Sequence, residues 1–136
     1  MMRPALLRRS LLAGSLLVLL SACASHAYQP AYLNGTVSLK EPVSLPLSTT
    51  LVRVRLIGDS AEADAPGRLL AEQTLEKPKA FPLGFSLCYD QHAIARGAHY
   101  SLQAQVFVDG ELRLQNRSPV TAFGTGAPDL SMELIK

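Results

Sequence analysis

Tyr100-Ser-Leu-Gln-Ala-Gln-Val-Phe-Val-Asp-Gly-Glu-Leu-Arg-Leu114 is the stretch whose reading decides the fold. Tyr100, Leu102, Ala104, Val106 and Val108 fall on every second position. Successive side chains of a strand point to opposite faces, so this period marks a half-buried strand. Asp109-Gly110 then separates it from a second alternating run with Leu112 and Leu114. An Asp-Gly pair between two such runs signals a type I′ hairpin, because both central residues must take positive φ.

The same period recurs outward along the chain. Thr50 to Ile57 sets Val52, Val54 and Leu56 against Arg53 and Arg55, and Pro82 to Asp90 places Leu83, Phe85, Leu87 and Tyr89 on one face. Further strands are expected at Leu33 to Leu39, Leu69 to Leu75, Val120 to Phe123 and Leu130 to Ile135. Pro42 and Pro46, Asp59 to Gly67, Pro78, and Gly124 to Pro128 break the pattern between them. Asp90 to Arg96 suits a single helical turn capped by Asp90. About seven or eight short strands without crossover helices predict a mainly β fold, a single antiparallel β-sandwich with at most that one turn. Phe85 and Leu102 are expected in its core.

The N-terminus is of another kind. Arg3, Arg8 and Arg9 precede an apolar run from Leu11 to Leu20, the n-region and h-region of a secretory signal. The run is too short for a bilayer, which needs roughly 20 apolar residues. It ends in Leu20-Ser21-Ala22-Cys23, which resembles the lipobox of bacterial lipoproteins. That resemblance implies a cleaved signal peptide over residues 1–22 and lipidation of Cys23. Two or three acyl chains make attachment effectively permanent, whereas one is marginal. Ala24, in place of an inner-membrane-retaining aspartate, favours sorting to the outer membrane. Residues 23–32 then form the lipidated cysteine and a tether, with Ala24 to Pro30 reaching at most about 25 Å, and residues 33–136 form the one domain.

Charge excludes one class of partner. Three of the 13 basic residues leave with the signal while all 11 acidic residues stay, so the mature chain is close to neutral. It carries no basic cluster with interleaved aromatics, and nucleic acid is not an expected partner. Once Cys23 is lipidated, Cys88 is the only other thiol, so the fold must be held by packing rather than an internal disulfide.

Leu33-Asn34-Gly35-Thr36-Val37, Leu51 to Leu56 with Asp59-Ser60, Pro82-x-x-Phe85-x-Leu87-x-Tyr89-Asp90, Ile94, Tyr100 to Ala104, and Asp109 to Leu112 together resemble the YbaY lipoproteins, which are grouped with the YscW-type pilotins. The resemblance spans about Leu33 to Gln115. It implies a β-sandwich and a non-enzymatic lipoprotein, whose pilotin relatives bind the C-terminal segment of a secretin and bring it to the outer membrane. No catalytic residues come with it.

Other constellations invite chemistry. Cys88, Asp90 and His92 at i, i+2, i+4 are the parts of a nucleophilic triad. Neighbours along one strand diverge, however, and no oxyanion loop follows, so a packed thiol, a turn-capping carboxylate and a surface imidazole are expected. His26, His92 and His99 with Cys88 match no metal-ligand spacing. Asp59, Glu62 and Asp64 lack the spacing of a calcium loop and read as a solvated turn. Asn34-Gly35-Thr36 reads as a strand-entry turn. No cofactor or metal is expected.

The reading is therefore an outer-membrane-anchored lipoprotein facing the periplasm, acting as a pilotin-like binding or chaperone module with a secretin-like client. A structural lipoprotein serving envelope integrity or polysaccharide handling stays open beside it, and an envelope hydrolase is a remote third. Outward-pointing apolar residues Phe107, Leu51 and Ile135 are the candidate partner surface.

Overall fold

The computed structural model describes residues 27–59 and 67–135. Eight strands run in chain order: β1 Pro30–Leu39, β2 Thr50–Gly58, β3 Arg68–Glu76, β4 Leu83–Asp90, β5 Tyr100–Val108, β6 Glu111–Gln115, β7 Val120–Thr121 and β8 Asp129–Leu134. Each corresponds to a run expected from alternation. Two short 3₁₀ turns, Leu47–Thr49 and Gln91–Ala93, interrupt them. The second is the expected turn, and Asp90 caps it by accepting the His92 N–H at 3.1 Å. The expected signal peptide, Cys23, His26, Glu62 and Asp64 lie outside the described residues.

The faces follow the period. Val52, Val54 and Leu56 of β2 and Ala104 and Val106 of β5 are wholly buried, and Phe85, Leu87 and Leu102 join them. Asp109 (φ 51°) and Gly110 (φ 81°) form the expected positive-φ hairpin between β5 and β6. One face assignment needs correction in β6. Val106 pairs with Leu114 but Phe107 pairs with Leu112, so a bulge at Arg113 breaks the alternation. Leu114 is buried, while Leu112 is half-buried beside Phe107 in register.

The strands lie in the order β3-β2-β5-β6-β8-β1-β4, with β7 also paired to β5. This single sheet curls until its two end strands meet, so the two layers expected of a sandwich are opposite walls of one nearly closed sheet. The seam between β3 and β4 is bridged by a side chain, as the Gln73 Oε1 accepts the Ser86 N–H at 2.8 Å. The pairing is antiparallel except between β1 and β8, which run parallel from Thr36↔Asp129 to Leu39↔Met132. Alternation is blind to strand direction, so the sequence carried no sign of this. Asp129 secures the parallel pair by accepting from the Thr36 hydroxyl at 2.8 Å and the Ser38 hydroxyl at 3.0 Å.

Asn34-Gly35-Thr36 is not a strand entry but the middle of β1. Gly35 pairs with Phe85, and a Cβ there would sit 2.5 Å from the ring Cζ and 2.6 Å from the Pro128 carbonyl oxygen. The glycine is there to admit the ring and the crossing backbone, a packing demand rather than a turn.

Candidate functional site

The described chain is fixed earlier than the strand pattern implied. Gln29 donates its N–H to Asp90 Oδ1 at 3.2 Å, and its carbonyl accepts the Gln91 N–H at 2.8 Å. Tyr28 places its hydroxyl 3.4 Å from Cys88 Sγ. That contact, with some burial, pushes the Tyr28 phenol up to about 12. These bonds give members of the sequence triad other partners. Cys88, expected to be packed, is instead exposed because it lies on the outer face of β4, where it meets a tyrosine; Asp90 serves as a backbone cap, and His92 Nδ1 stands 3.6 Å from Asp90. Among the described residues no three His, Cys, Asp or Glu gather as a metal site.

The three candidate partner residues fall in a line across the sheet. Leu51 on β2 is the register partner of Phe107 on β5, Phe107 in turn of Leu112 on β6, and the Ile135 N–H reaches the Arg113 carbonyl oxygen. Exposure differs along that line. Ile135 is 42% exposed, but Leu51 and Phe107 are half-buried. The Arg53 guanidinium lies over the Phe107 ring, 5.0 Å from its centroid, a cation–π arrangement that covers part of the apolar surface. Leu134, the register partner of the buried Leu114, is also exposed.

A more concave feature lies at the same end of the sheet. The β1–β2 connection and the β3–β4 connection enclose an open cleft of about 830 Å³, walled by Leu39, Val43, Leu45, Leu47 and Phe81. Its apolar wall and lack of ionised side chains suit an apolar segment of another chain rather than a charged metabolite. The sequence reading passed over it because Pro42 and Pro46 marked the region as breaker. A signal was present nonetheless. Val43, Leu45 and Leu47 alternate with Ser44, Pro46 and Ser48, and the first three are half-buried while the second three are exposed. The alternation orients side chains there without forming a ladder.

Beside the cleft, Glu133 bridges Lys40 and Arg117, the latter at 3.4 Å. The Lys40 hydrogen bond is the main cause that holds the Glu133 carboxyl below its ordinary 4.5. This ties the end of β1 to β8.

A family model described as "Type III secretion system lipoprotein chaperone (YscW)" matches residues 29–134. Among solved structures, the chain is similar to an alternative pilotin from the type II secretion system of Vibrio cholerae, with 29% sequence identity and a TM-score of 0.66. The likeness covers 78% of this chain and 96% of that one. No curated protein matches the chain significantly.

Proposed function

Because the chain belongs to the YscW family of type III secretion lipoprotein chaperones, we propose that it is a non-enzymatic, lipid-anchored binding module that holds a secretin-like client at the outer membrane. The observation that carries this is the apolar cleft on a fold shared with a type II secretion pilotin. An amphipathic segment of the client lays its apolar side against Val43, Leu45 and Phe81, the mode by which a groove takes up a helix. The line Leu51, Phe107 and Ile135 extends that surface around the same end. Cys23 carries the lipid after cleavage at residue 22, and Ala24 directs the protein to the outer membrane. Nothing in the arrangement of Cys88, Asp90 and His92 calls for catalysis.

The experiment is a pull-down of the lipidated protein from its own envelope, with identification of what is retained. Val43→Asp, which puts a charge on the cleft wall, is expected to lose a secretin-like client while the circular dichroism spectrum stays strand-dominated. Phe107→Asp tests the extended surface in the same way. Retention of the same client by Val43→Asp would refute the cleft. Intact-mass measurement checks the anchor: the chain should begin at Cys23 with diacylglyceryl attached, and Cys23→Ser should leave unprocessed precursor.

A further inference from the structure

Tyr28 and Tyr32 are the two most exposed large hydrophobic side chains among the described residues, at 57% and 66%. Neither is scattered at random. They lie on one outer face of the β1 end, four positions apart, with Cys88 in register opposite Tyr32 and in contact with the Tyr28 hydroxyl. The neighbouring outward positions Asn34, Ser86 and Cys88 carry no ionised oxygen or ammonium group. Asp90, at the end of this face, already accepts from the Gln29 and His92 N–H groups.

We infer that this tyrosine face rests on the phospholipid interface of the membrane that holds the chain's own lipid, an inference that depends on the proposed lipidation of Cys23. The fold begins at Tyr28, so only Ala24 to Ala27 separate it from Cys23. From Cys23 to Tyr28 the chain spans at most about 17 Å when fully extended. Tyr32 lies only about 13 Å further along the strand. A leash so short keeps the first turns of β1 at the headgroups, where tyrosine is favoured because its ring body is apolar and its hydroxyl is wet. The exposed His92, 3.6 Å from Asp90 at the end of this face, can hydrogen-bond a headgroup phosphate. The same orientation turns the cleft at the far end of β1 away from the bilayer, toward a client.

The chain contains no tryptophan, so one introduced tryptophan is an unambiguous reporter. Lipidated full-length protein carrying Tyr32→Trp is reconstituted in phosphatidylethanolamine and phosphatidylglycerol vesicles, with lipidation checked by mass and anchoring by flotation. A phospholipid spin-labelled at the headgroup should extinguish most of its emission. The same label should leave Val43→Trp, at the cleft, close to full intensity. Inserting a Gly-Ser stretch several times the tether's length after Ala24 should restore the Tyr32→Trp emission. Floating, lipidated protein whose Tyr32→Trp emission is no more quenched than that of Val43→Trp would overturn the docking while leaving the anchor intact. Protein that neither carries lipid nor floats would overturn the anchor, and the docking with it.

Discussion

The contact between Gly35 and Phe85 offers a sharp test of how the barrel wall is packed. Phe85 is 4% exposed, and truncating a buried phenylalanine to alanine costs about 3–5 kcal/mol from lost transfer and the cavity left behind. Gly35→Ala acts in the opposite direction, by overfilling. Its Cβ would fall 2.5 Å from Phe85 Cζ and 2.6 Å from the Pro128 carbonyl oxygen, which accepts the Thr36 N–H. Overpacking of this kind costs about 1–3 kcal/mol. In Phe85→Ala the ring half of the clash is gone and the new methyl enters the cavity, so the double variant should be more stable than additivity requires by about 0.5–3 kcal/mol. The Pro128 half remains, so the rescue is incomplete. Urea unfolding of the soluble chain from Ala24, followed by circular dichroism, measures both singles and the double. Strict additivity would refute the claim that the aromatic ring is what the glycine accommodates.

Three further outcomes follow from single contacts. Asn116 donates to the Leu102 and Ser118 carbonyls and accepts the Ala104 N–H at 2.8 Å, completing β5 where β6 ends, so Asn116→Ala should cost about 1–3 kcal/mol in the same urea assay by leaving those groups unmatched. Because Glu133 is held below its ordinary value, its stabilising contribution is present above that value and is lost as pH falls through the lowered one; Glu133→Gln should therefore be less stable than the parent near neutrality and converge with it in acid, by urea midpoints across pH. Tyr28 is shifted the other way, so its contribution is full below the ordinary 10 and is lost as pH rises through about 12; in an ultraviolet titration, Cys88→Ala should bring the Tyr28 phenol down from about 12 toward the ordinary 10.

The strands were legible because period-two alternation is a direct image of a wall with one buried side. Val52, Val54 and Leu56 needed no partner to be assigned inward, and Asp109-Gly110 declared its own geometry. What was not legible concerns relations between distant segments. The parallel insertion of β8 beside β1 leaves no local trace, since Leu130 and Met132 alternate alike in either direction. The bulge at Arg113 hid because Leu112 and Leu114 keep the right spacing in sequence while the backbone adds a residue between them. Gly35 was misread because a glycine demanded by a ring fifty residues away looks the same as one demanded by a turn. Of the proposed partner surface, Leu51 and Phe107 share a register position, yet the Arg53 guanidinium over Phe107 could not be foreseen from one strand alone. The cleft was missed because its walls are two loops that meet only in the fold.

The closure of the sheet bears on where such a protein can act. An open sheet offers its edge strands to an extended peptide, and strand addition is the usual way a small β domain recruits one. Here the two edge strands, β3 and β4, face each other, and Gln73 spans the seam to the Ser86 N–H. A peptide added there would have to displace that bond and spread the wall. The barrel thus gives up its edges as binding surfaces, and what remains is its two ends and its outer face. At one end the chain emerges with Tyr28 and Tyr32 exposed, and at the other the apolar loops around Val43 and Phe81 stay concave and open. A β1 strand of 10 residues separates them by about 30 Å. If the proposed lipid on Cys23 holds the first end, the second stands clear of the headgroups, where the proposed client would bind.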